Sequence, residues 1–138
     1  MVRMESGFAV IGDTQHLPGY SLLLSEDASA DHLTDLAPER RTLFLRDMTL
    51  IGEAVKSACV ANGLRRINYE VLGNSMSWLH GHIHARYSWE PPDRQGWPVW
   101  CYPPAERDDP KVAYNDDAHG ALREEITRSL HLLMEARY

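Results

Sequence analysis

Three histidines, His80, His82 and His84, occupy every second position in the segment WLHGHIHARY, residues 78–87. On a β-strand, side chains two apart share a face. The spacing therefore predicts three imidazoles on one side, with Leu79, Gly81, Ile83 and Ala85 on the other, against a core. Two chemistries suit such a row. Histidines at alternate positions can converge on a metal such as zinc. At a rise of ~3.3 Å per residue, however, the outer pair is roughly 13 Å apart along a straight strand, too far for one ion without a bend. The second chemistry is phosphoryl transfer. A neutral imidazole attacks phosphorus, its phosphoramidate is labile to water, and neighbouring imidazoles can donate to phosphate oxygens. A reference pKa near 6.5 suits histidine to both roles. A polar strand face in solvent is the plain structural alternative.

These residues need a scaffold, and the rest of the chain supplies its outline. Residues 7–12 (FAVIGD) and 20–25 (YSLLLS) read as two strands of an antiparallel hairpin, with Pro18-Gly19 marking the turn. Pro38 suits a first helical turn. From there Phe44, Met48, Ile51, Val55 and Ala58 recur at helical steps, and Gly63 stands where a C-terminal cap glycine is expected. Residues 67–72 (INYEVL) and 78–87 read as two more strands. Residues 88–110 hold most of the prolines and three of the four tryptophans, Trp89, Trp97 and Trp100. That composition predicts an ordered loop or sheet edge. From about Asp117, a stripe of Leu122, Ile126, Leu130 and Leu133 predicts a C-terminal helix. The order strand-strand-helix-strand-strand-tail-helix favours an α+β domain with a mostly antiparallel sheet.

Composition excludes several classes. The 138 residues are 43% hydrophobic and 25% charged, as in a soluble one-domain protein. No apolar run approaches the ~20 residues of a membrane span. The net charge of −6 argues against non-specific nucleic-acid binding. The N-terminal stretch has no signal-peptide pattern, and Cys59 and Cys101 form no C-x-x-C pair. A reduced, cytoplasmic protein is expected, without membrane or nucleic-acid partners.

The motif and its surroundings resemble the histidine triad (HIT) family of nucleotide hydrolases and transferases, whose signature is His-x-His-x-His followed by apolar residues. LPGYSLLLSEDASADHLTDLAPERRTLF and INYEVLGNSMSWLHGHIHARY are similar to that family's hairpin, helix start and active-site segment. The whole chain, 1–138, is expected to form one HIT-like domain, with the resemblance clearest over 7–100. Two registers are possible. The direct one matches the triad to His80, His82 and His84. The other, shifted by two residues, matches it to Trp78, His80 and His82. Ile83, His84, Ala85 and Arg86 then follow the family pattern, and Asn74 falls where the family often has a glutamine or asparagine. LGNSMSWLHGHIHARY then resembles a bacterial branch that lacks the first histidine, as does Trp97-Pro98-Val99-Trp100 further on.

The shifted register is preferred. It implies His80 as nucleophile and His82 as a donor to phosphate, with Asn74, Ser75 and Asn68 as further substrate contacts and His84 at the rim. The direct register implies His82 as nucleophile. Trp78 departs from the family, because indole has one donor and no ring acceptor and cannot copy a histidine relay. The resemblance further implies a five-stranded sheet with two helices and a homodimer joined sheet edge to edge. The implied reaction is hydrolysis or transfer at the α-phosphate of a purine nucleotide conjugate, with no cofactor and no metal ligands. The competing readings are a nucleotide-binding protein without turnover, and a metal-binding protein through His80, His82 and His84.

Overall fold

The structure, a computed structural model, describes residues 2–137. Five strands form one sheet: β1 (Val2–Arg3), β2 (Gly7–Ile11), β3 (Ser21–Ser25), β4 (Leu64–Glu70) and β5 (His80–Tyr87). Their order across the sheet is β1-β2-β3-β5-β4, and every pairing is antiparallel. The expected β2–β3 hairpin is present, with Gly7 opposite Ser25 and Ile11 opposite Ser21. β5 runs centrally, pairing with β3 on one side and with β4, an edge strand, on the other.

Helix α1 (Pro38–Cys59) begins at its proline, as expected. It continues through a short 3-10 turn at Val60–Asn62 to Gly63, which adopts φ 81° and closes the helix in the left-handed region that glycine tolerates. Phe44, Met48, Ile51 and Val55 are buried, as the stripe predicts, while Ala58 is only partly so. Leu50 and Ala54 widen the buried face. α1 covers the sheet face that carries Leu23, Ile83 and Ala85. It approaches so closely that a Cβ on Gly81 would lie 2.6 Å from the Met48 side chain. α3 (Asp116–Arg137) packs on α1, burying Ile126 and Leu130, with Leu122 and Leu133 partly buried beside them. A third, four-residue helix, α2 (Pro104–Arg107), adds to the two expected and lies within the proline-rich tail. No helix among the described residues is long and apolar enough to cross a membrane.

The apolar and histidine sides of β5 thus face as the alternation predicts. The histidine side is not a solvent face, however. Every residue of β5 is buried, because the segment after it folds back across that side. Its anchor is Arg86, 3% exposed, forked onto Glu90, 1% exposed, with nitrogen–oxygen distances of 2.8–3.1 Å. Glu90 also accepts from Tyr102 Oη at 2.6 Å and from the Tyr87 amide at 2.6 Å. Burial raises the Glu90 pKa, but the bonds from Arg86, Tyr102 and Tyr87 outweigh it and hold the carboxyl below its ordinary value.

Candidate functional site

His80 begins β5. Its Nδ1 lies 2.6 Å from the main-chain oxygen of Trp78. A carbonyl only accepts, so Nδ1 carries a proton, and in the neutral ring Nε2 carries the lone pair. Among the described residues Nε2 has no partner, and it is not sealed from solvent. His80 borders a cleft of about 260 Å³ between the loop after β3 and the loop before β5, shared with Asp31, His32, Leu33, Leu72 and Gly73.

His82 stands edge-on to His80, ring centroids 4.8 Å apart. Its Nδ1 lies 2.8 Å from Tyr20 Oη, and its Nε2 is likewise open to solvent without a partner among the described residues. Burial first, then the electrostatic influence of the neighbouring His80, pulls the His82 pKa down to about 4, so the ring is neutral at pH 7.

His84 differs from both. It is 3% exposed, its ring stacks on Tyr20 at 4.2 Å and 6°, and the edge of Trp100 closes on it at 5.4 Å. Its Nε2 is buried without a partner among the described residues, and the residue borders a small cavity of about 10 Å³ with His16, Thr14 and Arg107. Burial, then His82 and Arg86, pulls its pKa down to about 3. The rim position expected for His84 is therefore occupied by an aromatic stack.

The remaining expected contacts are dispersed. Asn74 and Ser75 lie exposed in the loop before β5 and make no side-chain hydrogen bond among the described residues. Asn68 pairs across the sheet with His84, and its Oδ1 lies 3.4 Å from Arg86 Nη1. It borders a second cleft, with Arg65, Arg66, Glu70 and Trp97, and not the cleft of His80. Trp78 is half-exposed, and its indole donates to the Ser25 carbonyl at 3.0 Å. Its side chain thus ties the start of β5 to β3, while its main chain orients His80.

Two participants escaped the sequence reading. Residue spacing places Tyr20 only as the first residue of a strand, and Trp100 in a proline-rich tail and in a Trp-Pro-Val-Trp stretch that resembles the bacterial branch, with no contact to the histidines. Trp100 covers His82 at 5.0 Å and donates to the Glu70 carboxylate, which lies opposite His82 in the sheet. Neither contact has a signal in local residue spacing. As for a metal, no group of three or more histidine, cysteine, aspartate or glutamate side chains among the described residues could hold an ion.

No protein-family model matches the sequence, and no curated protein matches it. Solved structures do match. A histidine triad protein from Marinobacter aquaeolei aligns with TM-score 0.76 at 19% identity, over 95% of this chain and 87% of its own. Another from Sinorhizobium meliloti aligns with TM-score 0.73 at 20% identity, over 92% and 88%. One from Bradyrhizobium japonicum gives TM-score 0.73 at 18% identity, over 92% and 86%. Identities this low carry the architecture alone. The five-stranded antiparallel sheet, the histidine-bearing central strand and these alignments agree: the chain has the histidine triad fold.

Proposed function

We propose that the protein is a nucleotide hydrolase or nucleotidyl transferase in which His80 attacks the α-phosphate of a purine nucleotide conjugate. The observation that carries this reading is the 2.6 Å bond from His80 Nδ1 to the Trp78 carbonyl, which in the neutral ring keeps the lone pair on Nε2, on a residue that borders a cleft. A P–Nε2 bond forms as the bond from phosphorus to the leaving group breaks, and the leaving group departs with the electron pair. Water then attacks phosphorus as the P–Nε2 bond breaks, its electron pair returning to Nε2; the mononucleotide leaves, neutral His80 is restored, and the proton shed by the water balances the one taken up by the leaving group. His82, neutral at pH 7, donates from Nε2 to a phosphate oxygen as charge grows there.

The same geometry favours the shifted register. In the direct register His84 would donate to phosphate, yet its Nε2 is sealed beneath Tyr20 and Trp100. His82 would be the nucleophile, yet its Nδ1 meets a phenol and not a carbonyl. Asn74 and Ser75 remain proposed contacts, reached by movement of their exposed loop. Asn68 is proposed to act from the neighbouring cleft, and His84 to serve the site as the platform beneath Tyr20. A homodimer through the exposed edge of β4 and a cytoplasmic location complete the proposal.

The test is mononucleotide release from an adenosine phosphoramidate and from a dinucleoside polyphosphate. Wild type is expected to turn over at least one of them, and His80→Asn neither. Tight mononucleotide binding with no release by the wild type would instead identify a binding protein.

A further inference from the structure

We propose that Tyr20 is a positioning residue that fixes the tautomer of His82, donating its phenolic proton to Nδ1 and so holding the ring hydrogen on Nε2, toward the substrate. The inference rests on the functional reading above, in which His82 Nε2–H serves the phosphate.

The geometry allows two directions for the 2.8 Å bond between Tyr20 Oη and His82 Nδ1. If His82 donated, the phenol proton would need another acceptor. Tyr20 is 5% exposed, and its hydroxyl has no other partner among the described residues. A buried donor left without an acceptor is costly, so donation by the phenol is favoured. The phenol also keeps its proton: burial first, then the Asp13 and Glu70 carboxylates, raise the Tyr20 pKa above its ordinary value. His82, being neutral, has one donor and one acceptor nitrogen. An acceptor at Nδ1 therefore requires the proton at Nε2.

Tyr20 is itself held firmly. Its ring lies flat on His84 at 4.2 Å, and its main-chain oxygen accepts from the Gly12 amide at 2.8 Å and from Gln15 Nε2 at 3.0 Å. His80 and His82 are thereby set in opposite tautomers on one strand. A carbonyl leaves a lone pair outward on His80, and a phenol leaves a proton outward on His82. This gives the buried His84 a use that needs no contact with substrate.

The experiment is long-range ¹⁵N–¹H correlation of the imidazoles at pH 7, in wild type and in Tyr20→Phe, with kinetics on the adenosine phosphoramidate. Phenylalanine retains the stack on His84 and removes only the donor. His82 is expected in the Nε2–H form in wild type and as a tautomer mixture in the variant. The variant's kcat is expected to fall about tenfold, with KM changed less than threefold and the His80 adduct still formed. A wild-type His82 in the Nδ1–H form would overturn the proposal, with or without a variant in hand. So would an unchanged tautomer or an unchanged kcat in Tyr20→Phe. The tautomer is read without substrate, so an absent His80 adduct would overturn the nucleophile reading while leaving the Tyr20 bond separately decided.

Discussion

His80 Nδ1 lies 2.6 Å from the main-chain oxygen of Trp78, two places back in the chain, so this position orients the imidazole through its backbone. The bond comes from the main chain, so it does not depend on which side chain stands at position 78. Trp78→Phe should retain kcat within about threefold. It should lose only the indole bond to Ser25, with a cost of about 1 kcal/mol read as a shift in urea midpoint. A collapse of kcat in a folded Trp78→Phe protein would show that the side chain itself takes part.

The tail over the histidine face depends on one buried ion pair. Glu90→Gln leaves the Arg86 guanidinium buried without its carboxylate and weakens the bonds from Tyr102 and Tyr87. Removing one partner of such a pair costs about 3–5 kcal/mol. Thermal and urea unfolding should both register the loss. The Arg86→Met, Glu90→Leu double variant should recover much of it, since removing both charges removes the uncompensated one.

Trp100 covers part of the His82 ring. Trp100→Ala strips the 5.0 Å edge contact and the hydrogen bond to Glu70. Because burial is the main cause of the depressed His82 pKa, the variant should bring it up from about 4 toward 6.5 in an NMR titration. No movement would mean that Trp100 is not what desolvates this ring.

Stability should fall on the acid side before the carboxylates titrate. His82 and His84 have folded pKa values of about 4 and about 3, both below the 6.5 of the unfolded chain. Their contribution is thus full above pH 6.5 and is lost as pH falls toward those values. The slope is at most about 1.4 kcal/mol per pH unit for each ring. Glu90, held below its ordinary 4.5, adds to the loss only at lower pH. Urea midpoints at pH 7, 6 and 5 should decline in wild type and less steeply in His84→Phe, which retains an aromatic ring against Tyr20.

Much of this arrangement was legible in the residues themselves. The helical stripe from Phe44 to Val55 between Pro38 and Gly63 marks α1, because periodicity and end signals are local. The alternation in 80–87 gives the two faces of β5 for the same reason. The two-residue β1 is too short for a pattern to show. The burial of the histidine face is a tertiary fact: Tyr20 and Trp100 reach it from 62 and 18 residues away from His82. A motif read by side-chain type also misses a main-chain contribution. The side chain at position 78 gives no sign of this bond, because the orienting atom is the carbonyl oxygen, which every residue has.

The most direct test is to trap the intermediate. The protein would be quenched during turnover of an adenosine phosphoramidate, under conditions that preserve P–N bonds, and the adduct mapped by peptide mass spectrometry. The account predicts one adenylyl group, on His80, absent in His80→Asn and still formed in His82→Asn at a reduced rate. An adduct on His82, or turnover that survives in His80→Asn, would contradict it.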